Sequence, residues 1–161
     1  MNRYFSLIAE PIGRYGGVIS QFQGDAVLAT FNVPKPDSDH AANAVRAALA
    51  IQDSLRGVEF GDGIPFNTRV GINTGSVVGG LVGSGDRVGY TVHGDNVKLT
   101  ARLEQLNKDY GTRIILSQNT RDAIDSDDFE FRELDEVAVR GLNRPVRIYT
   151  VAAKGAAPGA G

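Results

Sequence analysis

The chain is 161 residues long and 42% hydrophobic, with 17 Lys and Arg against 19 Asp and Glu for a net charge of −2. That length and apolar content suit one globular domain with a single core, while interspersed charges without a basic stripe exclude nucleic acid as a partner. The absence of cysteine excludes a disulfide framework and a thiolate metal site and favours a cytoplasmic location. No apolar run approaches the about 20 residues that cross a bilayer, and no charged-then-apolar leader opens the sequence, so no membrane segment is expected.

Residues 2–14 set Tyr4, Phe5, Ile8, Ala9 and Ile12 on one side of a 3.6-residue period, which predicts an amphipathic helix stopped by Gly16 and Gly17. Val18–Phe22 and Ala26–Phe31 then read as a hairpin about Gln23, Gly24 and Asp25, ended by Pro34 and Pro36. Asp37, Ser38 and Asp39 offer capping oxygens for a helix over 40–55, whose Ala41, Ala44, Val45, Ala48, Ile51 and Leu55 form an apolar stripe. Phe66–Ile72 and Ser76–Val82 read as strands joined by a tight turn at Asn73, Thr74 and Gly75, and residues 83–86 mark the next turn.

A short strand at Tyr90–Val92 feeds a helix from Asp95 to Asp109 with Val97, Leu99, Leu103 and Leu106 as its apolar positions and Asp95 as its expected cap. Arg113–Leu116 is a strand, Ser117–Ile124 a short helix capped by Ser117, and Phe129–Arg140 with Arg147–Ala152 a closing antiparallel pair. The composition places one domain over 1–152 and a disordered tail over 153–161. Strands and helices alternate without a regular βα rhythm, so the fold class is α+β, a mostly antiparallel sheet with helices packed on one face.

Few residues invite chemistry. Asp25 stands on a Gly-Asp turn, where a carboxylate either holds a metal or simply makes the turn. Lys98 and Arg102 are four apart on one helical face, a like-charge spacing that costs a few tenths of a kcal/mol, on the order of 0.3, unless an anion sits between them. The alternative is that Lys98 pairs with Asp95 and Arg102 is hydrated. His40 and His93 are far apart in sequence and suggest neither a metal site nor a triad. The glycines between 79 and 85 lack the Lys-Ser/Thr of a phosphate loop and read as turn residues.

The run from Gly16 to Phe31, ArgValGlyIleAsnThrGly at 69–75, TyrThrValHisGlyAspAsnValLysLeuThrAlaArgLeuGlu at 90–104 and ValArgGlyLeuAsnArgProValArgIleTyr at 139–149 follow one another in a telling order. In order, spacing and residue type they resemble the class III adenylate/guanylate (nucleotidyl) cyclase catalytic domain over nearly the whole chain. The resemblance implies a ferredoxin-like core and cyclisation of a nucleoside triphosphate, ATP before GTP, to cyclic AMP or cyclic GMP with release of pyrophosphate in intracellular signalling. It implies Mg²⁺ or Mn²⁺ as cofactor and a homodimer with shared sites.

Residue by residue, it implies a metal ligand at Asp25, base readers at Gln21 and Thr91, a transition-state arginine at Arg102 and a triphosphate-binding Arg140 before Gly141. Lys98 stands where the family usually has an Asn that orients the ribose, and Gln21 where adenylate cyclases commonly have Lys. Gln both donates and accepts, so it suits adenine or guanine. The family's first strand, of the form PheXaaAspIleXaaGlyPheThr, which carries its second metal-binding Asp, has no counterpart in these residues. The resemblance therefore also leaves a second reading, a catalytically silent cyclase-like module that binds nucleotide or dimerises. It further implies that adding such a strand ahead of residue 2 stabilises and activates the chain.

Overall fold

The computed structural model describes residues 2–23, 26–32, 36–55, 59–60, 64–65, 68–84, 87–139 and 144–154; for 2–4, 21–23, 59–60, 64–65, 80–84, 87–91 and 93 the description is of the backbone. In chain order the elements are α1 (Asn2–Arg14), β1 (Val18–Gln23), β2 (Ala26–Thr30), α2 (His40–Leu55), β3 (Glu59–Phe60), β4 (Ile64–Pro65), β5 (Val70–Ile72), β6 (Val78–Ser84), β7 (Arg87–His93), α3 (Asp95–Tyr110), β8 (Ile114–Ser117), α4 (Gln118–Asp122), β9 (Phe129–Val137) and β10 (Val146–Ala153). Four strands form one sheet in the order β5-β8-β10-β9, and β1-β2, β3-β4 and β6-β7 are two-stranded ribbons. Only β5 and β8 run parallel, Val70 opposite Ile114 and Ile72 opposite Leu116. The expected α+β class with a mostly antiparallel sheet is what these pairings build.

The helices cover both faces of that sheet, where the sequence reading expected one. Val45 and Ala48 of α2 pack with Ile72, Ile114, Leu116 and Val151, whereas Leu99, Leu103 and Leu106 of α3 pack with Ile115 and Ile148. Successive strand residues point to opposite faces, so the fully buried run Ile114, Ile115 and Leu116 can be satisfied only by an apolar layer on each side. A third cluster joins α1 to α2 through Ile8, Ile12, Ile51 and Leu55 and takes in Val27, Ala29 and Phe31 from β2 and its end.

Three local expectations change. Asn73, Thr74 and Gly75 do not join a hairpin, because β5 belongs to the four-stranded sheet and β6 pairs with β7. Gly79 and Gly80 lie in β6 within the strand expected over Ser76–Val82, but Gly83, read as a turn, is also a strand residue, opposite Val88, and the short strand expected at 90–92 is the seven-residue β7. The α3 N-cap is Gly94, with no side-chain cap bond, and Asp95 sits in the first turn instead. The Ser117 cap holds: its hydroxyl accepts from the Thr120 N–H. Residues 155–161, most of the expected tail, lie outside the described residues, and Ala153 ends β10.

Between β2 and β5 lies a cavity of about 470 Å³. Its walls include Ala29 and Phe31 on one side and Val70 and Ile72 on the other, and its floor is Ala44 and Ala48 of α2. Among the described residues β2 pairs only with β1 and β5 only with β8, so two strand edges face each other across the gap.

Candidate functional site

The α3 helix carries the two described cations of interest. Lys98, Arg102, Gln105 and Asp109 recur at three- and four-residue spacing and form its exposed stripe, opposite the Leu99, Leu103 and Leu106 stripe that packs on the sheet. No ion pair joins Lys98 to Asp95, and among the described residues neither Lys98 nor Arg102 has a charged partner. The two like charges therefore face solvent together, which is the arrangement an anion would relieve.

The position of α3 is set by close contact with β5. A Cβ added at Gly71 would lie 2.5 Å from the Glu104 backbone nitrogen and 2.5 Å from the Thr100 carbonyl oxygen, so the helix backbone rests directly on the strand and only glycine fits there. Asn107 is 1% exposed; its side-chain amide donates to the Val70 carbonyl at 3.0 Å and its oxygen accepts from the Thr112 hydroxyl at 2.7 Å. The Arg69 guanidinium bonds Glu104 at 3.0 Å, and Gly111, at φ 64°, turns the chain out of the helix.

The start of α3 is clamped by a second amide group. Asn73 Nδ2 donates to Asn96 Oδ1 and to the Asn96 carbonyl, each at 3.1 Å, and Asn96 Nδ2 donates to the Ser76 carbonyl at 2.8 Å. Ser117 Oγ donates to Asn73 Oδ1 at 2.7 Å, and the Thr74 and Thr120 hydroxyls meet at 2.9 Å. These bonds tie the link after β5, the end of β8, α4 and the first turn of α3 into one network. Sequence reasoning took 73–75 as a turn and passed over Asn96. The available signal was Gly94, which leaves the helix start without a capping side chain.

At the far end of α3, the Tyr110 hydroxyl donates to Asp135 of β9 at 2.6 Å. That bond, with help from the Glu136 N–H, holds the Asp135 carboxyl below the usual carboxylate range, and it pushes the Tyr110 hydroxyl above its usual value.

Of the other expected site residues, Gln21 lies in β1 just after a register irregularity between Ile19 and Gln21, and Thr91 lies in β7 opposite Gly80. The two strands run against each other, so the elements that carry the expected base readers are neighbours. Asp25, Arg140 and Gly141 lie outside the described residues. Among the described residues no group of three or more His, Asp or Glu side chains is placed to hold a metal ion. The β2–β5 cavity takes in Asn96, Thr100 and Glu104 of α3 but neither Lys98 nor Arg102, so it is separate from the cationic stripe. Among the described residues no helix is long and apolar enough to cross a membrane.

The family model for the adenylate and guanylate cyclase catalytic domain matches residues 2–153. Adenylate cyclase 1 of Rhizobium meliloti is 39% identical over 155 residues, which are 94% of this chain and 23% of that protein. The chain thus spans about a quarter of that relative's length. The guanylate cyclase domain of RhGC from Catenaria anguillulae, solved in complex with GTP, superposes with a TM-score of 0.80 at 28% identity, covering 94% of this chain and 81% of that one. The adenylyl cyclase CyaB from P. aeruginosa superposes at 0.76 with 30% identity, covering 94% and 79%. Matched by that family model over nearly its full length, the chain belongs to the class III adenylate and guanylate cyclase catalytic domain family.

Proposed function

We propose that the chain forms cyclic AMP and pyrophosphate from ATP, with GTP and cyclic GMP as the second choice, and that it works as a homodimer whose sites are shared across the interface. The observation that carries this reading is the Lys98 and Arg102 pair, exposed on α3 with no charged partner among the described residues. Relatives named as adenylate cyclases support ATP as substrate, and the GTP complex of a similar domain keeps GTP open.

In the reaction the ribose 3′ oxygen attacks the α-phosphorus, the bond to the bridging oxygen of pyrophosphate breaks, and the hydroxyl proton passes to bulk water. Lys98 contacts a phosphate. Arg102 faces the negative charge that grows on the α-phosphate and the departing pyrophosphate, a charge that fixed cations stabilise more in the transition state than in the ground state. Gln21 and Thr91 read the base from adjacent strands, and Arg140 holds the triphosphate. Mg²⁺ or Mn²⁺, with Asp25 as ligand, would supply charge neutralisation and lower the hydroxyl's pKa. The described residues alone do not make that ion's site. A cytoplasmic location suits a cysteine-free chain.

The test is to incubate the protein with ATP or GTP and Mg²⁺ or Mn²⁺ and measure cyclic nucleotide and pyrophosphate together. Equal amounts of both are expected, and Arg102→Ala should lower turnover by about 100-fold while changing nucleotide affinity little. Nucleotide binding with neither product would favour the silent module, and a variant with unchanged turnover would remove Arg102 from the site.

A further inference from the structure

The first turn of α3 is secured from outside the helix. Its cap, Gly94, has no side chain; the Val97 and Lys98 N–H groups donate to the Gly94 carbonyl at 3.1 and 3.3 Å, and the Thr100 hydroxyl donates to the Asn96 carbonyl at 2.7 Å. The remaining fixation comes from Asn96, which reaches out to Ser76, and from Asn73, which reaches in to both the side chain and the carbonyl of Asn96. Each amide is used at both ends, since Asn73 also accepts from Ser117. Such a doubly engaged pair restrains both rotation about the helix axis and sliding along it. A Cβ at Gly75 would collide with the Asn96 amide, so the loop backbone closes on the latch from the third side. Lys98 and Arg102 follow at two and six residues from Asn96.

We infer that the Asn73–Asn96 latch is the positioning element of the phosphate site: it aims Lys98 and, through the same helix, Arg102 at the triphosphate of a nucleotide. This inference rests on the reading of Lys98 and Arg102 given above. Neither amide touches the nucleotide; both act through the cations. A side chain aimed an ångström off loses much of its effect, by about 100-fold when a reacting group is involved.

The experiment is a double-mutant cycle on ATP affinity, read by calorimetry without added metal, with Lys98→Ala, Asn96→Ala and the pair. Lys98→Ala should weaken ATP about tenfold and Asn96→Ala about fivefold, as expected when a charge-assisted bond to phosphate is lost or misaimed. If the latch acts through Lys98, the double variant binds no more weakly than Lys98→Ala alone. Losses that multiply would overturn the positioning role while leaving the phosphate site intact. Unchanged affinity in Lys98→Ala would remove the phosphate site and this inference with it. Asn73→Ala cuts the same latch from the β5 side and serves where Asn96→Ala does not fold; it should show the same non-additive pattern with Lys98→Ala. A merely structural role would lower the melting temperature of all Asn variants yet leave the effect of Lys98→Ala at full size in each.

Discussion

The two flanks of β5 are built on opposite terms. On the flank facing α3, Gly71 lets backbone rest on backbone, Asn107 closes the Val70 carbonyl and Asn73 grips Asn96. On the edge facing β2, the same three-residue strand meets a cavity of about 470 Å³ where Ala29, Phe31 and Ala44 stand beside Thr100 and Glu104 of α3. Directional bonds with named partners hold the strand to α3, whereas toward β2 it has no such partner among the described residues and meets open space. The lesson is that the directional contacts of β5 are concentrated where Lys98 and Arg102 are carried.

The contrast can be tested most forcefully at the open flank. Adding a PheXaaAspIle-type strand ahead of α1, long enough to lie between β2 and β5, should raise the melting temperature by about 10 °C or more. It should also raise metal-dependent turnover at least about tenfold. Thermal melting and product formation on both chains decide it; strong metal-dependent turnover from the 161-residue chain would show that the second metal ligand lies elsewhere in these residues.

A matched pair of substitutions sharpens the comparison at smaller scale. Gly71→Ala forces a methyl against the α3 backbone and should cost about 1–3 kcal/mol. Ala44→Leu points into the cavity and should be neutral or stabilising by up to about 1 kcal/mol. Urea unfolding of both variants provides the values, and equal costs would erase the difference between the flanks.

The smallest effect concerns the last anchor of α3. Asp135 is held below the usual carboxylate range by Tyr110, so its contribution is present above about pH 4 and is lost as the pH falls through the lowered value. Tyr110 is raised by the same bond, so its contribution is present below about pH 10 and is lost as the pH rises through the raised value. Tyr110→Phe should therefore melt about a degree lower than the parent between those limits and converge with it outside them. A constant gap at every pH would mean that the hydroxyl contributes nothing through ionisation.

Helices were legible where local signals agreed. The stripe from Ala41 to Leu55 and the acidic residues before it predicted 40–55, which is α2 as found, and Ser117 announced its cap. Lys98 and Arg102 were visible because helical spacing alone puts them together. What escaped depended on partners distant in sequence. Gly79 and Gly80 fall in the strand expected over Ser76–Val82, but Gly83 offers no side chain to extend the pattern and reads as a turn until Val88 of β7 is seen beside it. The second helix-covered face was in fact announced by Ile114, Ile115 and Leu116, since a strand apolar at successive positions needs cover on both sides. Asn73 and Asn96 look like ordinary loop and helix residues, and their pairing exists only once β5 and α3 are docked.

The parallel pairing of β5 with β8 sets Val70 beside Ile114 across all of β6, β7 and α3. Closing so long a stretch is entropically slow and brings no return until the strands meet. The antiparallel ribbons and the helices, whose contacts are local, are expected to gather first, and the β5–β8 ladder to form late. Gly71 brings α3 to backbone distance, so the seat of the helix and the β5–β8 ladder share the same three residues. Closing the sheet and seating Lys98 and Arg102 are therefore expected to be one late event, so that a defect in the ladder would be felt at the site.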